Sequence, residues 1–112
     1  MINVMIADDH ALFRDGLRRI FSETEDIHVV AEAVDGKDIL KKSREFEWDI
    51  ALLDINLPDI NGLDILKRIL SANAASRILV LSMYPEEEYA IRAIRSGASG
   101  YLTKDSPTDQ LI

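Results

Sequence analysis

Apolar positions along this chain follow two alternating patterns. Five short runs read as strands: Ile2 to Ala7, Ile27 to Val34, Ile50 to Leu53, Ile78 to Leu81 and Gly100 to Thr103. The first, third and fourth are near-continuous, as expected for strands covered on both faces of a parallel sheet. Between the runs the spacing turns helical. After Asp9, the positions Leu12, Phe13, Leu17, Ile20 and Phe21 recur as one apolar set. Gly36 to Arg44 is a shorter helix candidate. Leu63, Leu66 and Leu70 share a face, with Ile69 beside them. From Pro85 to Ser96 three glutamates fill the first turn, where the helix dipole favours negative charge. Arg95 closes that segment and Gly97 supplies a C-terminal cap.

The order βαβαβαβαβ predicts an α/β fold, an open five-stranded parallel sheet with helices on both faces. A fifth helix begins near the end: Ser106 caps it, Pro107 suits its first position, and Asp109 fits the capping-box register. The sequence stops at Ile112, short of the roughly 11 residues of an average helix. The expectation is a piece truncated inside its last helix.

Composition narrows the function. The 112 residues fit one domain, 1–112, large enough to bury a core without disulfides or a structural metal. There is no cysteine, and two histidines, His10 and His28, make a zinc site improbable. Thirteen Lys and Arg against 20 Asp and Glu give a net charge of −7, which argues against direct nucleic-acid binding and suits a site for a cation. No apolar run approaches the ~20 residues that span a bilayer. The first residues lack the basic flank of a signal peptide, so a cytoplasmic protein without membrane contact is expected.

In such sheets ligands bind outside the carboxyl ends of the strands. There the first strand ends in Asp8-Asp9, the third in Asp54, the fourth in Ser82 and the fifth in Lys104. Three carboxylates held close repel one another unless a cation joins them. Magnesium, which takes oxygen ligands and keeps several waters, suits the set of Asp9, Asp54, a backbone carbonyl near Asn56 and, directly or through water, Asp8. Together with Lys104 it would neutralise a transferring phosphoryl group, the main catalytic need of such transfers. Asp54 is the candidate nucleophile, giving an acyl phosphate, and the Ser82 hydroxyl a hydrogen-bond donor to it.

Asp8-Asp9, Leu53-Asp54-Ile55-Asn56-Leu57-Pro58-Asp59 with Gly62, Leu81-Ser82, and Gly100-Tyr101-Leu102-Thr103-Lys104 resemble the receiver domains of bacterial two-component response regulators. Ala7-Asp8-Asp9-His10, Leu81-Ser82-Met83 and the stretch from Gly97 to Asp105 are most similar to the NarL/FixJ type, which carries a LuxR-type helix-turn-helix output domain. The resemblance spans nearly the whole chain. It implies the flavodoxin-like receiver fold with strand order 2-1-3-4-5. It also implies a phosphorylation switch. A sensor histidine kinase donates to Asp54, and the domain, not a conventional enzyme, catalyses its own phosphorylation and slow dephosphorylation. Ser82 moves toward the phosphate and Tyr101 turns inward. The face of the fourth helix, fifth strand and fifth helix then changes, to dimerise or to act on the chain's own DNA-binding domain, which is absent here. Transcription would be regulated through DNA contacts of that domain alone. Asn56 and Tyr84 would tune hydrolysis. The chain departs from the family pattern at Asp105, where proline is frequent, and at Met83, bulkier than usual and expected to restrict access to Asp54.

Taken singly, these residues have bland readings. An Asp-Asp pair is usually a solvated turn, Ser82 a strand-end hydroxyl, Lys104 a surface ammonium, and Tyr101 packing on a helix. The joint placement at four strand ends outweighs them. His10 is expected to start the first helix rather than bind metal, His28 to lie at the surface or a strand end, and Trp48 to pack near the third strand, where its fluorescence could report on the site. Three other functions are weaker. An aspartyl phosphohydrolase would carry Asp-x-Asp, but Asn56 stands in the third position. A pure interaction module would not need the full set of side chains. A dinucleotide site lacks its glycine-rich turn after the first strand.

Overall fold

The alternating apolar runs and helical segments fold into one doubly wound sheet. The computed structural model describes residues 2–55, 57–82 and 87–103. In chain order the elements are β1 (Ile2–Ala7), α1 (Ala11–Ser22), β2 (Ile27–Ala33), α2 (Gly36–Glu45), β3 (Ile50–Asp54), α3 (Gly62–Ala72), β4 (Arg77–Ser82), α4 (Glu87–Arg95) and β5 (Gly100–Thr103). All strand pairs are parallel and the order is β2-β1-β3-β4-β5, as expected. The near-continuous apolar strands lie at or beside the centre. Residues Val4 to Ala7 of β1 and Ala51 to Asp54 of β3 are buried throughout.

Strand alternation splits the core in two. On one face Met5, Ala7, Leu53, Ile78 and Val80 pack against Ile39 of α2, Ile65, Leu66 and Ile69 of α3 and Ala93 of α4. On the other, Val4, Ile6, Leu52 and Leu81 pack against Leu17 and Phe21 of α1. Several helix ends are set by local capping. Asp35 caps α2 by accepting from Asp38 N at 2.8 Å, and Asn61 caps α3 by accepting from Leu63 N at 2.8 Å. Beyond α4, Gly97 adopts φ +106, the left-handed conformation that closes a helix. A Cβ there would lie 2.6 Å from Leu70 Cδ1, so packing also demands glycine.

Two details of the helical pattern differ from expectation. Leu12, grouped with the apolar set of α1, is 88% exposed. At about 100° per residue it lies roughly 125° from the middle of the stripe formed by Phe13, Leu17, Ile20 and Phe21. On α3 the buried centre is Ile65, Leu66 and Ile69, and Leu63 and Leu70 flank it half-buried. Ile65 completes the i, i+4 row that the leucines only border. Pro85 and Glu86 of the fourth helix candidate, and Ser106, Pro107 and Asp109 of the fifth, lie outside the described residues.

Candidate metal centre

Register brings the acidic residues together. Ala7 pairs with Leu53 across β1 and β3, so Asp8 follows beside Asp54. Asp54 in turn pairs with Leu81 of β4, and Ser82 pairs with Thr103 of β5. Because the strands are parallel, all these ends reach one edge.

Asp8 and Asp54 are almost wholly buried, at 0% and 1% exposure, while the Asp9 side chain keeps 35%. Ser82 is also buried, at 1%. One carboxylate oxygen from each of the three aspartates, with His10 Nδ1, forms a cluster whose atoms all lie within 4.8 Å of one another. Burial of two carboxylates beside a third is costly without a compensating cation. The open side at Asp9 leaves a route for solvent and ion. Three hard oxygen donors match the preference of magnesium, so the residues present fit that ion.

The loop after β1 is held by its own bonds. Asp8 N donates to Ala33 O at 3.0 Å and His10 N donates to Asp8 Oδ1 at 2.8 Å. Arg14, one turn into α1, donates from Nη1 to Asp8 O at 2.5 Å and pairs with Glu32 on β2, Nε to Oε1, at 3.5 Å. Arg18 meets the other Glu32 oxygen at 3.4 Å. On the β3 side, Ile55 N donates to Leu81 O at 2.9 Å, and Gly62 N donates to Ile55 O at 3.0 Å. The loop that follows Asp54 is therefore pinned at both ends.

Of the residues selected from sequence, Asp8, Asp9, Asp54 and Ser82 meet at this edge. Tyr101 of β5 pairs with Val80 of β4 and is half-buried on the same sheet face. Asn56, Met83, Tyr84, Lys104 and Asp105 lie outside the described residues. His28 is an exposed residue of β2, as expected. Trp48 packs near β3 as expected, but at the opposite end. It precedes Ile50 by two residues, and its Nε1 donates to Ser43 O at 3.1 Å. The length of β3 separates it from Asp54, so it is not placed to report directly on the site. A cavity of about 610 Å³ lies at that amino edge, lined by Phe46, Trp48, Ile69 and Arg77 among others, and holds none of the acidic cluster.

Three participants were missed by sequence reasoning. His10 stands at the N-cap position of α1, as expected of a helix start, yet its ring makes no capping bond and enters the acidic cluster. Its position directly after two aspartates was the available signal. Arg14, four residues further on, is one helical turn from it. Asp59, in the motif after Asp54, binds the start of α2 across 23 residues, and no local pattern announces that contact.

Comparison with known proteins decides the family. The model of the response regulator receiver domain matches residues 4–112. This chain belongs to the response regulator receiver domains. It is 36% identical over 111 residues to the transcriptional regulatory protein DegU of Brevibacillus brevis, covering 99% of this chain and 47% of that protein. It is 39% identical over 112 residues to the oxygen regulatory protein NreC of Staphylococcus epidermidis, covering 99% of this chain and 51% of that protein. The chain thus spans about half the length of these curated relatives. Among solved structures, the signal receiver domain of the putative response regulator NarL from Mycobacterium tuberculosis superposes with a TM-score of 0.92 at 34% identity, covering 98% of this chain and 89% of that one. A receiver domain of the NarL and NreC kind therefore carries the acidic edge described above. No helix among the described residues is long and apolar enough to cross a membrane.

Proposed function

We propose that Asp54 is the phosphoacceptor of this receiver domain and that Asp8, Asp9 and Asp54 hold one magnesium ion. The observation that carries the reading is the buried Asp54 carboxylate, set at a strand end within the cluster formed with Asp8 and Asp9. Bound there, with the backbone carbonyl of Asn56 and waters completing its shell, magnesium would supply positive charge against the phosphoryl oxygens.

The remaining steps fall to the chain. An Asp54 oxygen attacks phosphorus while the phosphorus–nitrogen bond of a kinase phosphohistidine breaks, and the product is an acyl phosphate. Lys104 offsets charge on the transferring group. The Ser82 hydroxyl donates to a phosphoryl oxygen, and Tyr101 takes the space that Ser82 leaves. Ser82 and Tyr101 stand on adjacent strands two residues out of register, which leaves them on the same sheet face and supports such an exchange. Water later hydrolyses the acyl phosphate, so the domain resets itself slowly.

The relatives support the rest of the reading. The match to about half of a transcriptional regulatory protein supports reading this chain as one module of a longer switch. The other module would be a helix-turn-helix domain that binds DNA, with homodimerisation on activation, in the cytoplasm, and with a sensor histidine kinase as donor. The test is intact-mass spectrometry after incubation with acetyl phosphate, with and without magnesium. One magnesium-dependent phosphoryl adduct on the wild type, absent in Asp54→Asn, is expected. An adduct that persists in Asp54→Asn overturns the assignment. If neither protein is labelled, beryllium fluoride as phosphoryl mimic follows, and failure to bind it would favour a pure interaction module.

A further inference from the structure

The proposed chemistry uses the three carboxylates of the acidic edge and leaves the imidazole among them without a role. His10 Nδ1 lies 3.0 Å from Asp8 Oδ1, 3.4 Å from Asp9 Oδ1 and 4.0 Å from Asp54 Oδ2. It belongs to the same donor set, within 4.8 Å of every other member. The backbone holds the ring there. His10 N donates to Asp8 Oδ1 at 2.8 Å, and His10 O accepts from Arg14 N at 3.1 Å. Packing does not explain the residue, since its side chain is 58% exposed. Helix capping does not explain it either. His10 occupies the N-cap of α1 in an extended conformation, but its side chain makes no capping hydrogen bond.

A nitrogen donor changes what an oxygen site prefers. Magnesium is a hard ion served by carboxylates, carbonyls and water, and gains little from imidazole. Manganese shares magnesium's liking for carboxylate and water, but as a first-row ion it also takes neutral imidazole, the commonest metal ligand among side chains. We infer that His10 sets the metal preference of this centre, its Nδ1 joining Asp8, Asp9 and Asp54 around manganese while contributing little to magnesium. As the ring stands, Nδ1 donates to the acceptor-only Asp8 carboxylate at 3.0 Å; to ligate manganese it takes the other tautomer, with the proton on Nε2 and the Nδ1 lone pair toward the ion. The inference rests on the acidic cluster being the metal centre.

The test compares wild type with His10→Asn. Asparagine is a strong N-cap residue, so the helix start should hold, and thermal melting checks this. Magnesium and manganese affinities are measured by calorimetry on both proteins. Pulsed electron paramagnetic resonance on the manganese forms looks for coupling to an imidazole nitrogen. The expected result is manganese affinity reduced by about tenfold, the low end of what a metal-site partner contributes, with magnesium affinity changed far less. The nitrogen coupling should be present in wild type and lost in the variant. An unchanged ratio of the two affinities, or a wild-type spectrum without nitrogen coupling, overturns the role of His10 and leaves the carboxylate centre standing. Absence of binding by either ion overturns the metal centre itself, and the inference with it.

Discussion

The Asp59 carboxylate accepts the backbone N–H of Gly36 at 2.6 Å, joining the loop after Asp54 to the first residue of α2. Its second oxygen accepts Lys37 N at 3.1 Å. Two of the four amides left open at the start of α2 are thus satisfied from another loop, while Asp35 serves Asp38. The contact needs glycine at position 36, where a Cβ would stand 2.9 Å from Ile60 Cβ and 3.0 Å from Asp59 Oδ1. Loss of hydration alone would raise the Asp59 pKa. The amides of Gly36, Lys37, Asp59 itself and Ile60 outweigh it and hold the carboxyl below its ordinary 3.8. A depressed carboxyl contributes stability above its unfolded value and loses it as pH falls through the folded one. Asp59→Ala is therefore predicted to lower the urea midpoint by an amount that is constant from about pH 5 upward and fades in acid. A deficit that persists unchanged below that range would show that the ionised carboxylate is not the active form.

Glycine in this chain also separates packing from flexibility. A Cβ at Gly62 would sit 2.5 Å from Ile55 Cα and 2.9 Å from Ile55 O, backbone atoms that cannot step aside. At Gly16, inside α1, a Cβ meets nothing within 4 Å. Gly62→Ala should destabilise by about 1–3 kcal/mol, as overpacking does. Gly16→Ala should stabilise by about 0.5–1 kcal/mol through helix propensity. Chemical denaturation of both variants checks the pair. Equal effects would mean that the tight approach at Ile55 is not maintained in solution.

What was legible in the sequence was what repeats locally. Short, near-continuous apolar runs gave the strands to within a residue or two, and the strand-end aspartates pointed to one edge once the sheet was parallel. Leu12 was misplaced because being apolar was allowed to stand for its angle around the helix. Ile65 was overlooked because leucines dominated the same segment. Nothing local encodes that Asp59 will find Gly36, or that the His10 ring turns from its helix toward three carboxylates. Those are tertiary facts, set by which strands become neighbours. The order β2-β1-β3-β4-β5 came from family likeness, because apolar runs alone do not rank neighbours.

Charge at the acidic edge gives a stability prediction. Asp8 and Asp54 are buried side by side with Asp9 at the rim. Replacing Asp54 with neutral asparagine removes repulsion while nearly preserving shape. In magnesium-free buffer Asp54→Asn should melt higher than wild type, by roughly 4–8 °C if the relief is about 1 kcal/mol. Magnesium should then raise the wild-type midpoint more than that of the variant. A variant that melts lower in the absence of the ion would mean that the repulsion is already relieved within the protein.

Trp48 belongs to the amino edge of the sheet, with its indole N–H fixed on Ser43 O at 3.1 Å. Magnesium titration is predicted to leave its emission nearly unchanged while the amide resonances of Asp8, Asp9 and His10 shift. A large emission change that saturates together with those amide shifts would require coupling along the whole of β3.

Arg14 is the strut of the metal loop. Its guanidinium donates to Asp8 O at 2.5 Å and faces Glu32 at 3.5 Å, with only 16% of the side chain exposed. The planar fork bridges a carbonyl and a carboxylate at once, which a lysine ammonium, a point charge, does less well. Arg14→Ala should cost about 1.5–3 kcal/mol, the range for hydrogen bonds to a charged group. It should also weaken magnesium binding, because the peptide joining Asp8 to Asp9 is no longer held. Arg14→Lys should recover part of both effects. Glu32→Gln should cost less by itself, since Arg14 keeps its bond to Asp8 O, and the double variant should be non-additive by about 0.5 kcal/mol or more. Denaturation and calorimetry on the four proteins of the cycle read both quantities. Strict additivity would mean that Glu32 does not help to hold Arg14. Unchanged magnesium affinity in Arg14→Ala would mean that Asp8 and Asp9 keep their geometry without the strut.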